Sequence, residues 1–532
     1  MKEKAAVLSV LVIAAMTLAG VTLFGDNLRA LRGMSADALA GDTTLRHRAT
    51  GGHLEKKKMV NFARENADYG GPNPSFTPVT PNRATETKRD ALSTFAIDVD
   101  TASYTYARRV LEANGLPDAA SVRVEEWVNA FPYRLAAPAD APFAVHVEGA
   151  PSPFDRTRTL LKVALKGREV HNKDRKPAHL VFLVDTSGSM SSEDRLPLAK
   201  QCLRILTEQL NARDTVALVT YAGHVQVVLE PTPATQQQAI FRAIDSLSSG
   251  GGTAMGSGME LAYRLAVRQA QPGHVSRVIV LTDGDANIGA NVTAGQMLAA
   301  VKGYVQEGVT LTTVGFGMGN YRASALEELA DSGNGHAVYI DGEREAQRVF
   351  GAEVAGTLEY LAKDVKVQVA FDPAVVKSYR LVGYENRDVK DEDFRNDKVD
   401  GGELGSGHAV TALYEVELTG AGGDLGTVAV RGLHPDSSKP FEVSASLSRK
   451  VVAETLVGAS ADLRFATAVA LAADVLRGNP VAEYPLSRIA QLAEDAAEER
   501  PERLEFASLV RKAHLLKAQG VAARPLAFDN AY

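Results

Sequence analysis

The sequence predicts an α/β fold whose mostly parallel sheet is inserted into a flanking β-sandwich, with a small amino-terminal α/β segment and carboxyl-terminal helices. Three observations predict it. Across residues 178–360 short apolar runs alternate with helical periodicity, as in a parallel sheet with crossover helices. After residue 361 the runs lengthen and alternate in and out, as antiparallel strands do. Two strands of that second style also precede the α/β region, so one sandwich is read as interrupted by the insert.

Taken in order, residues 1–25 form a membrane anchor or signal segment. Lys2 and Lys4 precede an uncharged apolar run, Ala5 to Phe24, which is long enough to cross a bilayer as a helix. Leu18-Ala19-Gly20 opens a lipoprotein-like site, but Val21 stands where an acylated cysteine would be, which excludes lipidation there. An uncleaved inner-membrane anchor with the folded part periplasmic is expected. Secretion after cleavage near Ala38-Leu39-Ala40 is the alternative. Arg29 and Arg32 oppose the amino-terminal lysines under the positive-inside rule, and the short amino end favours translocating the large carboxyl part.

Residues 26–91 are polar, with Lys56-Lys57-Lys58 and Gly71-Pro72-Asn73-Pro74, and bury too little to offset chain entropy. They are read as a disordered tether. Residues 92–177 form an amino-terminal extension. It has a strand near Thr94 to Asp98, helices at Tyr104–Ala113 and Ala120–Ala130, and sandwich strands at Phe143–Gly149 and Thr159–Leu165. Asp98 and Asp100 form a DxD, but Thr101 follows at once rather than two residues on, so a helix cap at Asp100 to Ser103 is expected instead of a phosphoryl acceptor.

The α/β region spans 178–360. Its strands are expected at 180–185, 215–221, 225–230, 276–282, 309–316 and 336–340. Helices fall near 195–211, 233–247, 255–270, 293–307 and 323–331, with a last one after Gly342. Sandwich strands fill 361–450, at Val365–Phe371, Ser378–Tyr384, Ala409–Glu417, Gly426–Val430 and Phe441–Ser448. Between them Asp391, Asp393, Asp397, Asp400 and Glu403 crowd one loop without EF-hand spacing, and are read as a solvated acidic loop. Residues 451–532 form a helical region, with helices at Ala461–Arg477, Leu486–Glu499 and Arg503–Gln519.

Within the α/β region, the run from Leu180 ends in Asp185 and is followed by Ser187, Gly188 and Ser189. A buried parallel strand places Asp185 at the carboxyl edge of the sheet, where open α/β sheets bind ligands. A carboxylate and two hydroxyls at alternate positions are hard oxygen donors suited to Mg²⁺, Mn²⁺ or Ca²⁺. An Asx or Ser turn closing a strand is the alternative reading. Gly250-Gly251-Gly252-Thr253 adds a threonine in a glycine-rich loop, and Val278 to Leu281 leads into Thr282-Asp283-Gly284 on a second buried strand.

DTSGS, GGT and TDGDAN, in this order, resemble the metal-ion-dependent adhesion site of von Willebrand factor type A domains, whose sheet is Rossmann-like with helices on both faces. The resemblance implies a Mg²⁺ (or Mn²⁺ or Ca²⁺) shell of Asp185, Ser187, Ser189, Thr253 and Asp283. It implies aspartates acting partly through water, and a protein partner whose Asp or Glu carboxylate completes the shell. It also implies a carboxyl-terminal helix that shifts on ligand binding. STFAIDVDTASYTYARR, VRVEEWVNAFPY and APSPF, with YRLVGYENR, GHAVTALYEV and SADLRFATAVA, narrow the resemblance to the YfbK-like group of bacterial cell-envelope proteins. Absence of the acylated cysteine is a departure from that group's usual anchoring.

The composition is ordinary for globular chains, 45% hydrophobic and 23% charged. A net charge of −7 gives no reason to expect nucleic acid as a partner. The single cysteine, Cys202, rules out an intramolecular disulfide and sits among helix-core positions. The function these features support is a metal-dependent adhesion or scaffold module rather than an enzyme. A metal-dependent hydrolase and a structural module without an active metal site are the alternatives. A hydrolase needs a base beside the metal. His224 is expected in a turn on the edge opposite Asp185, His274 gives no clear placement, and phosphate-loop and nucleophile-elbow motifs are missing. An ATPase is a possible further partner.

Overall fold

The computed structural model describes residues 44–46, 53–55, 76, 78–252, 254–284, 294–317, 323–480 and 484–522. The run Ala5 to Phe24 and most of the expected tether lie outside them. Among the described residues no helix is long and apolar enough to cross a membrane. Residues 1–71 form one unit, in which β1 (Thr44–Arg46) pairs antiparallel with β2 (His53–Glu55). Residues 72–532 form the other.

The second unit opens with β3 (Thr85–Glu86), β4 (Leu92–Ala96), α1 (Ala102–Glu112), α2 (Val124–Asn129), β5 (Phe143–Pro151) and β6 (Arg158–Gly167). The α/β insert then runs β7 (Ala178–Asp185), α3 (Leu196–Glu208), β8 (Thr215–Tyr221), β9 (Val225–Pro233), α4 (Gln237–Asp245), α5 (Met255–Gln269) and β10 (Val275–Thr282). It continues through α6 (Ala294–Gln306), β11 (Val309–Gly315), α7 (Ala323–Ser332), β12 (Ala337–Tyr339), α8 (Glu343–Gln347) and α9 (Val354–Leu358). After it come β13 (Tyr360–Phe371), β14 (Val376–Val382), β15 (Gly402–Gly405), β16 (Ala409–Leu418), β17 (Gly426–Leu433) and β18 (Pro440–Leu447). Helices α10 (Ala461–Leu476), α11 (Leu486–Asp495) and α12 (Pro501–Ala518) follow.

The insert is one sheet in the order β12-β11-β10-β7-β8-β9, parallel except for β9 at one edge. All eight residues of β7 are buried, which is why its sequence is a continuous apolar run. Its two faces carry separate cores, Leu180, Phe182 and Val184 meeting α3 and α4, and Val181 and Leu183 meeting α5 and α6. Connections from β7 to β8 go one way and from β9 to β10 the other, so strand order reverses between β7 and β10. A crevice at the carboxyl ends of those two strands is therefore built into the topology.

Two antiparallel sheets make the sandwich. One is β3-β14-β16-β6-β5; the other is β15-β13-β17-β18, with β4 also on β13. β6 pairs with β16 across the whole insert, from Arg158 opposite Glu417 to Lys166 opposite Ala409. Leu161, Val163 and Leu165 from one sheet meet Val367, Val369 and Val428 from the other in a shared core. The carboxyl-terminal helices share their core with α1 and α2, where Tyr104, Trp127, Phe131, Phe465 and Phe506 pack edge to face.

Several elements differ from the sequence reading. Sandwich order starts earlier, because Thr85 and Glu86 pair with β14 and the Asn82 amide caps Leu381 and Gly383 carbonyls. No side chain caps α1: Asp100 instead accepts the Ala337 N–H at 3.0 Å, tying the extension to β12. The helix expected over 120–130 is a short turn at Ala119–Ser121 followed by α2. The acidic loop is only partly solvated, since Glu403 lies on β15 and is 9% exposed, and Asp397 is paired with Arg431. Glycine made that strand hard to see: a Cβ at Gly402 would stand 2.2 Å from the Ile97 carbonyl oxygen, so only glycine lets the two backbones approach.

One buried carboxyl at the junction of extension and sandwich makes stability depend on pH. Glu125 on α2 accepts the Tyr384 N–H at 2.9 Å, and burial, then the nearby Glu385 and Asp98, push its carboxyl up to about 7 from 4.5. The folded state thus holds a proton that the unfolded chain releases, and stability present below pH ~4.5 is lost as pH rises through ~7. Glu125→Gln is expected to match wild type near pH 4.5 and to exceed it by ~1–3 kcal/mol at pH 8, read by urea unfolding at both values.

Candidate metal centre

The crevice between β7 and β10 gathers the sequence-marked groups. Leu281 lies opposite Val184 in the parallel register, so Thr282 and Asp283 emerge beside Asp185. Asp185 and Asp283 are both fully buried and Ser187 is nearly so, while Ser189 is partly exposed at the mouth. The Ser187 N–H donates to Asp185 Oδ1 at 2.8 Å, which curls the DxSxS turn back over its own aspartate. The hydroxyls of Ser187 and Ser189 then stand 3.0 Å apart. Carboxylate and hydroxyl oxygens are thus brought to one rim, as hard-cation coordination requires. Thr253, Asp285 and the rest of the TDGDAN segment lie outside the described residues. Among the described residues, no cluster of three His, Cys, Asp or Glu is placed to hold a metal, so a site built from the described residues depends on hydroxyl donors.

The glycine-rich loop is pinned to this rim through its backbone. Gly250 N–H donates to the Thr186 carbonyl at 2.8 Å, and Gly188 N–H donates to the Gly251 carbonyl at 3.2 Å. Gly251 adopts φ +88°, and a Cβ there would come within 3.1 Å of the Gly223 nitrogen. A side chain at that position would lever the loop away from the turn.

Electrostatics follow from burial. Asp185 is pushed up to about 6, first by burial and further by Asp283, against hydrogen bonds from Ser187 and Thr282 that favour its charge. A carboxylate pair held apart from water in this way is costly unless a cation joins it. Tyr221, wholly buried beside the pair, has its phenol raised by burial and by Asp185.

Three groups at this rim were given no role from the sequence, Thr282 among them although it stands in TDGDAN. Thr282 Oγ1 donates to Asp185 Oδ2 at 3.0 Å and receives the Gly284 N–H at 3.1 Å, fixing one strand end to the other. Arg195 Nη1 donates to Asp283 Oδ2 at 2.8 Å and to the Ser189 carbonyl at 2.5 Å. Asp194, its neighbour, pairs with Arg109 of α1 at 2.5 Å, so the extension reaches the rim directly. The only sequence signal for Arg195 was a cation at the start of the helix expected near 195–211, which does not set it apart from a solvated residue.

The placement of His224 must be corrected. Because β8 runs parallel to β7 with Tyr221 opposite Asp185, the turn after Tyr221 opens on the same edge as Asp185, not the opposite one. Gly223 in that turn packs near Gly252, and His224 itself is exposed. The other histidine, His274, is at the far edge, 2.8 Å from His179.

Family models and relatives agree with this architecture. A model described as the von Willebrand factor type A domain matches residues 179–352. One described as von Willebrand factor matches 72–162, and one described as the carboxyl-terminal part of the uncharacterised protein YfbK matches 356–427. The chain is 37% identical over 466 residues to uncharacterised protein YfbK of Escherichia coli strain K12, covering 81% of this chain and 80% of that one. It is 36% identical over 153 residues to the magnesium-chelatase 60 kDa subunit of Rhodobacter capsulatus, covering 28% of this chain and 26% of that one. Among solved structures, a von Willebrand factor type A protein from Catenulispora acidiphila is similar at 17% identity, covering 74% of this chain and 91% of that one, with a TM-score of 0.42.

Proposed function

The chain belongs to the YfbK-like family of proteins built around a von Willebrand factor type A domain, and from that premise we propose that it is a metal-ion-dependent protein-binding module of the cell envelope. The observation that carries this reading is the convergence of Asp185, Ser187, Ser189 and Asp283 at the strand-order reversal. Those four hold a Mg²⁺ or Mn²⁺ ion, with Thr253 as the fifth group. When bound, the ion supplies an electrophilic position that a partner's Asp or Glu carboxylate completes. The chain's own part is to hold the oxygens in place: Thr282 fixes Asp185, the Ser187 N–H fixes the turn, and Gly250 and Gly251 hold the loop beside it.

Placement outside the cytoplasm on an amino-terminal anchor is part of the same proposal, supported by the Ala5 to Phe24 run and by the envelope character of the family the sequence resembles. A pull-down from envelope extracts, with and without chelator, tests the binding role. Wild type should retain partners that chelator or Asp185→Ala releases, and retention unaffected by either would remove the metal from the mechanism. Topology has its own check: protease added to cells with a permeabilised outer layer should release a soluble fragment by cutting between Gly41 and Asp90. Protection of that segment would place the folded part on the other side.

A further inference from the structure

Arg195 occupies a seat made for it. Its Nη1 bridges the Asp283 carboxylate and the Ser189 carbonyl, one just past the end of β10 and the other in the turn after β7. Its Nε is buried and makes no hydrogen bond among the described residues, so pairing at the other end holds the side chain there. Gly317, at φ +67° after β11, supplies the space: a Cβ there would stand 2.5 Å from that Nε. The Gly317 carbonyl in turn accepts the Tyr339 hydroxyl at 3.0 Å, which fixes the cradle. Asp194 offsets the arginine's charge only in part, because its carboxylate is paired with Arg109 while also feeling Arg195.

This placement sets the charge of the site. Among the described residues the rim holds two carboxylates, Asp185 and Asp283, and one guanidinium, Arg195. A divalent ion added to two carboxylates alone would be neutralised. Added to these two carboxylates and Arg195, it leaves the three described groups and the ion with an excess of positive charge that Asp194 offsets only in part, in surroundings that screen poorly. We infer that Arg195 is a specificity-determining residue that weakens the grip on the divalent cation and, by leaving the cation under-neutralised, strengthens the pull on an incoming carboxylate. The inference rests on the metal-dependent reading above and deepens it. It assigns the acidic preference of the site to a residue outside the metal's own oxygen donors.

Two titrations on the full folded chain test it. Mn²⁺ is titrated by calorimetry in a carboxylate-free buffer, and acetate is then titrated into the Mn²⁺-saturated protein while water-proton relaxation follows displacement of metal-bound water. Arg195→Met is expected to bind Mn²⁺ about tenfold or more tightly, and acetate more weakly by a comparable factor. Arg195→Lys, which keeps the charge, is expected to stay near wild type in both. Opposite shifts in Arg195→Met are the signature, since a merely structural arginine would weaken both ligands together. Weakening of both, or no change in either, would overturn the inference while leaving the metal site standing. Absence of Mn²⁺ binding in wild type would instead overturn the metal-dependent reading itself. Should Arg195→Met lose its cooperative thermal transition, Arg195→Gln replaces it, because the amide can still donate to the Ser189 carbonyl without carrying charge.

Discussion

Replacing Ser187 and Asp283 together by alanine is expected to abolish the proposed divalent-cation binding while the fold survives. The double variant removes one of two carboxylates and one of the two hydroxyls 3.0 Å apart at the rim. Affinity of an oxygen-donor site is set chiefly by how many charged ligands it offers, and sites differing by a carboxylate or two span orders of magnitude in Kd. A loss of roughly a thousandfold or more is therefore expected, which calorimetry with Mg²⁺ and Mn²⁺ would read as no binding. Survival of the fold follows from position. Asp283 lies past the end of β10, and its ion-pair partner Arg195 retains 17% side-chain exposure, so the freed guanidinium can turn to water. The cost should stay near ~1–2 kcal/mol. Unchanged metal affinity in a cooperatively melting double variant would remove these residues from the site.

The largest effect on stability is expected at the opposite edge of the same sheet. Arg175 and Asp214 form an ion pair with no side-chain exposure on either partner. Asp214 also accepts the backbone N–H groups of Ala178 at 2.8 Å and Asn211 at 2.6 Å, so one carboxylate organises the starts of β7 and β8. Arg175 is further held by Asn172 Oδ1 and the Lys176 carbonyl. Asp214→Ala leaves a buried guanidinium uncompensated and two N–H groups unpaired, and is expected to destabilise the α/β insert by ~3–5 kcal/mol. Replacing both partners, as Arg175→Met with Asp214→Leu, should recover part of that, because no isolated charge remains. Urea unfolding of the three chains decides it, and a loss under about 1 kcal/mol in Asp214→Ala would mean that water reaches the pair.

Much of this architecture is legible in the residues because burial leaves a periodic trace. β7, β8 and β10 are buried on both faces and so read as unbroken apolar runs, and the strands of the insert stand within a few residues of where the sequence puts them. That β5 and β6 join the later strands in one sandwich was also readable, since all of them alternate in the same style. What the sequence hid is what depends on contact between distant segments. The Gly402–Gly405 strand has too little side chain to show a pattern. The final helix of the insert is divided, with α8 and α9 on either side of a wider turn at Arg348–Ala352, where Arg348 is held by Glu345 and Glu353. At the rim, Asp185, Ser187, Ser189 and Asp283 were named from short motifs. Arg195 was not named, and Thr282 was quoted in its motif without a role, because what each does comes from facing another segment. The side of the sheet on which His224 lies was misjudged for want of the relative direction of β7 and β8, which only the pairing supplies.

Pairing of β6 with β16 across the insert also has a consequence for how the chain is made. Roughly 240 residues separate the end of β6 from the start of β16. At synthesis rates of ~5–20 residues per second, the β5–β6 hairpin waits on the order of ten seconds to most of a minute before its neighbour leaves the ribosome. During that wait the free backbone edge of β6 has no strand to pair with, and its core side chains Leu161, Val163 and Leu165 have yet to meet Val367, Val369 and Val428 of the other sheet. The α/β insert emerges meanwhile with all of its own strands in hand, and can close its sheet first. Sandwich assembly is therefore the late and aggregation-exposed step of biogenesis. Its partner for a nascent-chain chaperone is an orphaned hairpin rather than a disordered coil.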